Sequence, residues 1–281
     1  MKKRYIIPII IGLLLGFFIY VLLLEEPDVN QTSASIPAVS AGEAILADGK
    51  TGEILYEKRS AEKAYPASTT KIMTALVALN ICKDLGANLD QQVVIPKAGT
   101  NIEGSSIYLK AGEKITIREL LYGMMLRSGN DAATTIAITL GGTLENFVDK
   151  MNETAKELGL RNTHFMNPTG LFDEEHYTTA EDLCKISQIA MRNRNFRKIV
   201  RAKSWKNYSN KNKTVYQYDG ATGIKIGFTK KSGRTLVASA KRQDVELICV
   251  VLSDGDWFND AYRLMDYGFE MMGCEKNGDE K

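Results

Sequence analysis

The sequence predicts a mixed α/β (α+β) fold, in which helices flank an antiparallel sheet and a mostly helical subdomain lies beside it. Two observations predict this class. Strand-like patterns lie near both ends of the chain, at about positions 43–58 and from Lys203 onward, whereas helical patterns dominate between about Gly86 and Arg201. Strands from both ends of a chain can join one sheet around a helical insertion. We expect a ligand site in the cleft between the two parts.

The individual elements follow from local patterns. EAILADGKTGEILYEK holds two short alternating runs around a glycine-containing turn, which predicts a hairpin, and STTKIMTALVALNICK has the apolar spacing of a largely buried helix. Helices are also predicted for TIRELLYGMML, NDAATTIAITL, LENFVDKMNETAKELG and TAEDLCKISQIAMRN, the last two starting after Thr143 and Thr179. Strands are predicted for KSWKNYS, TVYQY, TGIKIGFT, RTLVASAKR and VELICVVLS, and a final helix for WFNDAYRLMDYGFEMM.

Composition narrows the class of protein. With 281 residues, 44% of them apolar, the chain can bury a full core in one large or two modest domains. The net charge is +2, and because residues 2–4 contribute +3, the remainder carries −1. A nearly neutral body gives no electrostatic footprint for nucleic acid. Four widely spaced cysteines without a C-x-x-C pair predict buried unpaired thiols, and with only two histidines no metal or organic cofactor is implied.

The amino-terminal segment predicts attachment to a membrane. Tyr5 to Leu24 form an uncharged run of twenty residues, which as a helix would span about 30 Å, the thickness of the hydrocarbon layer. The preceding KKR favours a cytoplasmic start and a body outside the cell membrane. A cleaved signal peptide, which would leave the protein secreted, is the alternative, but its apolar region is usually about 7 to 15 residues long.

The predicted organisation follows from these segments. Residues 1–24 are the single-pass anchor, and 25–41, which mix acids, proline and small polar residues, are a linker. Residues 42–273 are the folded domain, with the helical subdomain at about 86–201, and 274–281 are a polar tail.

Three short motifs carry residues with catalytic chemistry. Ser68 and Lys71, in PASTTK, are one helical turn apart, so a hydroxyl nucleophile and an amine base come within reach of each other. Taken alone this S-x-x-K spacing is weak, because a capping serine followed by a surface lysine gives the same pattern. Ser128 and Asn130, in RSGN, are also ordinary loop residues. Lys225, in the strand pattern GIKIGFT, would by itself be a solvent-facing strand lysine.

Together, and in this order, the motifs resemble the penicillin-recognising serine enzymes, whose elements are S-x-x-K, S-x-N and K-T-G. The stretches AYPASTTKIMTAL, LLYGMMLRSGNDAA, NPTGLFDEEHYTTAEDL, GIKIGFTKKSGRTLVASA and LMDYGFE look like the low-molecular-weight D-alanyl-D-alanine carboxypeptidases (peptidase S11-like), over roughly residues 41 to 273. The resemblance implies a five-stranded antiparallel sheet of the β-lactamase/transpeptidase type. It also implies a serine enzyme that trims peptidoglycan stem peptides ending in D-Ala-D-Ala and is acylated by β-lactams.

The same resemblance implies roles for matching residues. Ser68 would be the nucleophile and Lys71 the general base, with Ser128 relaying a proton and Asn130 holding the substrate amide. Lys225 would supply positive charge for the substrate carboxylate. Residues Gly227, Phe228 and Thr229 would border the substrate, with the backbone N–H groups of Ser68 and Phe228 as the oxyanion hole.

Ile226 departs from the family pattern. The usual residue at this position is a threonine whose hydroxyl helps to bind the substrate carboxylate. A hydrogen bond to a charged group is worth about 1.5 to 3 kcal/mol, so we expect a weaker or retuned enzyme and not an inactive one. Many relatives also carry a further β-rich domain and a carboxy-terminal membrane helix, whereas this sequence ends eight residues after Gly273.

Two other functions remain open from the sequence. A non-catalytic module that binds wall peptides or senses β-lactams would explain Ile226 as decay. A β-lactamase on the same fold would need a glutamate that activates the deacylating water, typically four residues before an asparagine. No such pair lies between Asn130 and Lys225, and Glu174 and Glu175 lack that context.

Overall fold

The computed structural model describes residues 35–274. The predicted anchor at 1–24 and most of the tail therefore lie outside the described residues, as does the linker up to position 34. Within residues 35–274, no helix is both long enough and apolar enough to cross a membrane.

One five-stranded antiparallel sheet organises the domain, in the order β2-β1-β9-β8-β7. Its two amino-terminal strands form the predicted hairpin, and its other three strands come from the carboxy-terminal part of the chain. The sheet strands are β1 (Glu43–Asp48), β2 (Ile54–Lys58), β7 (Ala221–Thr229), β8 (Gly233–Arg242) and β9 (Val245–Asp254). The predicted fold class is confirmed.

Eight α-helices accompany the sheet in the described chain. They are α1 (Lys71–Asp84), α2 (Ile117–Arg127), α3 (Asn130–Gly141), α4 (Leu144–Glu157), α5 (Ala180–Arg192), α6 (Arg194–Val200), α7 (Thr214–Gln217) and α8 (Trp257–Met271). Short 3₁₀ turns lie at Ala67–Thr70 and Lys97–Gly99. The side chains of Thr143 and Thr179 accept hydrogen bonds from Asn146 N and Asp182 N, so both predicted helix starts are confirmed.

Two predicted strands differ from the structure. TVYQY forms the short helix α7, because Asn212 Oδ1 accepts the Thr214 N–H and turns the chain before the alternating pattern can extend. KSWKNYS forms a small separate ladder, β5 (Ser204–Trp205) with β6 (Tyr208–Ser209), outside the main sheet. A third ladder joins β3 (Gln92–Val94) to β4 (Lys114–Thr116).

The two faces of the main sheet bury different clusters. The front face and the helices α1 to α6 form the larger cluster, which includes Ile72, Leu121 and Val237. The rear face packs on α8 in a second cluster that includes Leu236 and Leu264. The four cysteines are unpaired and buried, as the sequence predicts. The 3₁₀ turn Ala67–Thr70, which leads directly into α1, packs against β7 and β8, so residues of the turn, of α1 and of β7 can share one site.

Candidate active site

Ser68 and Lys71 lie at the junction between the 3₁₀ turn and α1. The Pro66 carbonyl holds this turn by accepting the Thr69 hydroxyl at 2.6 Å and the Thr235 hydroxyl at 3.0 Å. Lys71 begins the α-helix and is 0% exposed. Its Nζ lies 2.9 Å from Ser68 Oγ. The predicted proximity of the Ser68 hydroxyl and the Lys71 amine is confirmed. Lys71 is buried, so the motif is not a capping serine followed by a surface lysine.

Ser128 and Asn130 occupy the corner between α2 and α3. Ser128 ends α2 in the left-handed conformation, with φ 65°, and Asn130 opens α3. Asn130 Oδ1 accepts a hydrogen bond from Lys71 Nζ at 2.7 Å, and Asn130 Nδ2 donates to the Glu103 carbonyl at 2.5 Å. The corner therefore fixes the Asn130 amide in one orientation, with its oxygen toward Lys71.

Lys225 enters the same site from β7. Its side chain is 1% exposed, and its Nζ donates to Ser128 Oγ at 3.0 Å and to the Ile226 carbonyl at 2.8 Å. A solvent-facing strand lysine is thus excluded. The three motifs, which are widely separated along the chain, meet at the corner that carries Ser128 and Asn130, because Ser128 contacts Lys225 and Asn130 contacts Lys71.

Gly227 lets the edge strand approach the nucleophile. A Cβ placed on this residue would lie 2.7 Å from Ser68 N and 2.5 Å from Thr235 Oγ1, so any side chain would force the two segments apart. The next residue, Phe228, has a side chain 61% exposed. Because β7 is at the edge of the sheet, alternate N–H groups on its outer side lack a neighbouring strand. The Thr229 hydroxyl is bound to Ser232 in the following turn.

Ile226 belongs to the rear of the sheet. It lies opposite Leu236 on β8 and packs, half-buried, against the rear cluster. Lys225 lies opposite Val237, which is part of the front cluster. Successive strand residues point to opposite faces, so Lys225 and Ile226 serve different sides of one strand. Ile226 therefore contributes apolar packing behind the site.

Burial and mutual repulsion shift the pKa values of both lysines. Burial lowers the pKa of Lys71 well below its ordinary value, and the charges of Lys225 and Lys211 lower it further. Burial, assisted by Lys211, lowers the pKa of Lys225 to about 7. The two ammonium groups repel each other equally, so the pair readily loses one proton, and burial lowers the pKa more strongly at Lys71.

Three contributors to the site lie outside the three sequence motifs. The Thr169 carbonyl accepts a hydrogen bond from Lys71 Nζ at 2.5 Å. Lys211 Nζ donates to Ser105 Oγ at 3.2 Å beside the cleft. Asp131 is 1% exposed, and its carboxylate accepts hydrogen bonds from Ile107 N and from Ser106 Oγ. These bonds hold the loop that faces the Ser128 corner. Only the Asp131 position, directly after the S-x-N motif, could have been singled out from sequence.

His176 links two segments that border the site. Its Nδ1 accepts the Met166 N–H at 3.1 Å, so the proton resides on Nε2, which donates to Thr70 Oγ1 at 2.8 Å. Burial lowers its pKa to about 4, and the ring is neutral at physiological pH. The histidine ties the turn that carries Ser68 to the loop that contacts Lys71.

Acidic and metal-ligating groups are sparse around the nucleophile. Among residues 35–274, no carboxylate is hydrogen-bonded to Ser68 or Lys71. Glu174 and Glu175 line a separate cavity of about 180 Å³ with Lys63 and Tyr177. The described part of the chain contains no group of three or more His, Cys, Asp or Glu side chains placed to hold a metal ion.

Known proteins share this arrangement of sequence and fold. Residues 30–256 match the D-alanyl-D-alanine carboxypeptidase family, peptidase S11. The chain belongs to this family. Similar members include D-alanyl-D-alanine carboxypeptidases DacF of Bacillus subtilis, 36% identical over 89% of the chain and 66% of that protein, and one of a Streptomyces species, 34% identical over 85% of the chain and 91% of that protein.

A relative whose structure has been solved has the same fold. The crystal structure of the Streptomyces K15 DD-transpeptidase superposes with a TM-score of 0.79 at 34% identity, covering 83% of this chain and 98% of that one. The chain thus spans nearly all of the Streptomyces proteins and slightly less than two thirds of the Bacillus one.

Proposed function

We propose that this protein is a serine D,D-carboxypeptidase, which removes the terminal D-alanine from peptidoglycan stem pentapeptides through an acyl-enzyme on Ser68 and is also acylated by β-lactams. The observation that carries the proposal is the set of contacts around the Lys71 amine. Membership of the D-alanyl-D-alanine carboxypeptidase family supports the substrate class.

Lys71 has the contacts of a general base. A neutral amine has two N–H donors and one lone pair. Asn130 Oδ1 and the Thr169 carbonyl can only accept, so they take the two N–H groups. The lone pair is then left for the third neighbour, the Ser68 hydroxyl, 2.9 Å away. The amine would take the Ser68 proton as Oγ attacks the carbonyl carbon between the two D-alanines.

Ser128 and Lys225 supply the second proton path. Once the tetrahedral intermediate forms, the leaving amine of the terminal D-alanine needs a proton. Ser128 Oγ, held by Lys225 Nζ, would give its own proton to that amine and regain one from the Lys71 ammonium that formed when Ser68 attacked. The Lys225 charge would also attract the substrate's terminal carboxylate. The N–H groups of Ser68 and Phe228 would stabilise the oxyanion, an interaction typically worth about 3 to 4 kcal/mol per donor.

The remaining predictions concern substrate contacts and location. We propose that Asn130 holds the substrate amide and that Gly227 and Thr229 border the substrate along β7. We also propose that residues 1–24 anchor the protein, that 25–41 act as a linker, and that the domain from 42 to 273 works outside the cell membrane. Uncleaved, this segment makes a single-pass membrane protein, whereas cleavage would make a secreted one.

The decisive experiment measures two products of the full-length chain in non-ionic detergent. A synthetic pentapeptide ending in D-Ala-D-Ala should release free D-alanine, and a fluorescent penicillin should form a long-lived adduct. Both should vanish in Ser68→Ala and persist in Ser209→Ala, an exposed serine outside the site.

Other outcomes would indicate a different nucleophile or a different function. Equal labelling of Ser68→Ala would refute the nucleophile. Labelling without D-alanine release would indicate a β-lactam sensor, and rapid loss of the adduct would indicate a β-lactamase. Transfer of the acyl group to an added amine, in place of water, would match the activity named for the Streptomyces structure.

A further inference from the structure

Positive charge is concentrated in one segment of the chain. Residues 183–218 contain ten Lys and Arg residues and no Asp or Glu. Since the whole chain carries +2, the rest of it carries −8. The near-neutral total therefore hides a strongly basic region, which total charge alone does not reveal.

Five of these cations line one open cleft of about 810 Å³, at the end of α5 and along α6. Helix α6 buries Phe196, Ile199 and Val200, so its charged side chains are directed outward. The cations that line the cleft are Arg192, Arg194, Arg197, Lys198 and Arg201. We call this feature the basic cleft.

The basic cleft has few acids to neutralise it. Within residues 35–274, Arg197 is the one lining cation in an ion pair, with Glu246 at 3.1 Å. The acids nearby have other partners: Asp90 binds Arg118, and Glu119 binds Lys206, each at 2.6 Å. Uncompensated like charges in one concave surface raise the local concentration of anions and favour an anionic ligand.

Aromatic rings form one wall of the basic cleft. The rings of Tyr122 and Trp205 stack at 4.5 Å with an interplanar angle of 8°, and both residues line the cleft. Tyr208 lies 6.3 Å from Trp205 and extends the stack. Trp205 remains partly exposed. A ligand with carbon groups between its anionic groups could therefore contact apolar ring surface as well as guanidinium groups.

We propose that the basic cleft binds a phosphodiester polyanion of the cell envelope. Four of the five cations are arginines, whose planar guanidinium matches phosphate oxygens in a bidentate geometry. The charge continues beyond the cleft through Lys203, which suits a ligand with repeating anionic groups.

The position of the cleft favours a polymer over a lipid headgroup, a choice that rests on the proposed extracytoplasmic location. Ser40, near the start of the described chain, hydrogen-bonds Asp254 at the end of β9. Arg197, in the cleft, binds Glu246 near the start of the same strand. Eight strand residues span about 26 Å, so the cleft and the point where the proposed linker joins the domain lie at opposite ends of β9.

The test measures binding of the full-length chain in non-ionic detergent to soluble poly(glycerol phosphate). The triple variant Arg194→Gln, Lys198→Gln, Arg201→Gln should bind at least tenfold more weakly at about 0.15 M salt, with a shallower salt dependence. A matched triple, Lys150→Gln, Lys156→Gln, Arg161→Gln, removes the same charge from exposed sites on and after α4 and should stay within twofold of wild type. Both triples should retain penicillin acylation, which shows that they fold.

A second readout locates the ligand. The chain has two tryptophans, so Trp257→Phe leaves Trp205 as the only indole, and its fluorescence should change when the polymer binds. Equal weakening by both triples, or a Trp205 signal that does not respond, would overturn the assignment. So would binding only to phosphatidylglycerol vesicles, or equal affinity for a single-stranded oligonucleotide with the same number of phosphates. Failure of D-alanine release would leave this binding result untouched.

Discussion

The front and rear faces of the five-stranded sheet bury different kinds of side chain. Behind the sheet, α8 covers a cluster of apolar residues such as Leu236 and Leu264. In front, two lysines exposed by 1% or less lie among hydrogen-bond acceptors and the larger apolar cluster. Burying an amine costs free energy, and each fixed acceptor offsets only part of it. The rear face thus stabilises the fold, while the front face holds reactive groups at some expense of stability.

The largest expected effect separates the two faces. Lys71→Met removes the amine that faces Ser68, so the rate of penicillin acylation should fall by about a thousandfold or more. The free energy of unfolding should change by less than about 2 kcal/mol, because relief of a buried amine opposes the loss of its hydrogen bonds. Stopped-flow acylation and urea unfolding measure the two quantities.

The matched variant on the rear face should do the reverse. Leu264→Ala removes a fully buried side chain and should lower the free energy of unfolding by about 3 kcal/mol, while the folded fraction is acylated at the wild-type rate. If Lys71→Met lost as much stability as Leu264→Ala, or if Leu264→Ala slowed acylation tenfold, the division between the faces would be wrong.

The front face should also make stability depend on pH through His176. Its folded pKa of about 4 is below the ordinary 6.5, so between these values the unfolded chain binds a proton that the folded chain does not. The free energy of unfolding therefore falls as pH drops from 6.5 toward 4, by about 3 kcal/mol from this group. Urea unfolding at pH 7 and pH 4 should show that His176→Gln loses about that much less than wild type.

His164 provides the control for this experiment. It lies partly exposed, with its Nδ1 on the Glu175 carbonyl at 2.6 Å. His164→Gln should retain most of the pH dependence of the wild type, because burial is the main cause of the lowered His176 pKa and the charge of His164 is a smaller one. An identical loss of stability in His176→Gln and wild type would show that the buried ring is not the group that titrates.

The smallest expected change is at Ile226, whose side chain lies on the rear face of the strand that carries Lys225 on its front face. Ile226→Thr should lower the free energy of unfolding by about 1 kcal/mol, since it removes apolar contact with the rear cluster. It should leave kcat/KM for D-alanine release within about twofold of the wild-type value, because the residue 226 side chain packs on the rear cluster and not in the site. Ile226→Val keeps most of the apolar contact and should also show no gain in kcat/KM. A gain in kcat/KM for Ile226→Thr that Ile226→Val lacks would show that this side chain reaches the substrate.

The sequence predicted the fold where patterns are local and strong. The hairpin at 43–58, the long helices and the final three sheet strands rest on periodicity that tertiary packing reinforces. The strand predicted for TVYQY was wrong, because a four-residue helix and a short strand can show the same alternation of apolar residues. An Asx turn decided between the two. Sheet order could be inferred only as antiparallel, since pairing depends on contacts between distant segments.

The candidate site shows the same limit. Ser68, Lys71, Ser128, Asn130 and Lys225 could be found from motif order, and the structure brings these five together. The Thr169 carbonyl and the Lys211 charge could not be found, because a backbone oxygen has no sequence signature and Lys211 belongs to no motif. The basic cleft was also hidden, since opposite charges elsewhere cancel it in the total.

The central claim is that Lys71 is the neutral base of a coupled pair of buried lysines. The pH dependence of kcat/KM for acylation tests it most directly. The rate should rise as Lys71 loses its proton, well below the ordinary lysine pKa, and fall as Lys225 loses its own, near pH 7 in the free protein. Lys211→Gln should move both limbs to higher pH, because the charge of Lys211 lowers the pKa of both lysines, whereas Lys213→Gln should move neither. A rate that climbs steadily to about pH 10, the ordinary range of a lysine, would contradict the claim.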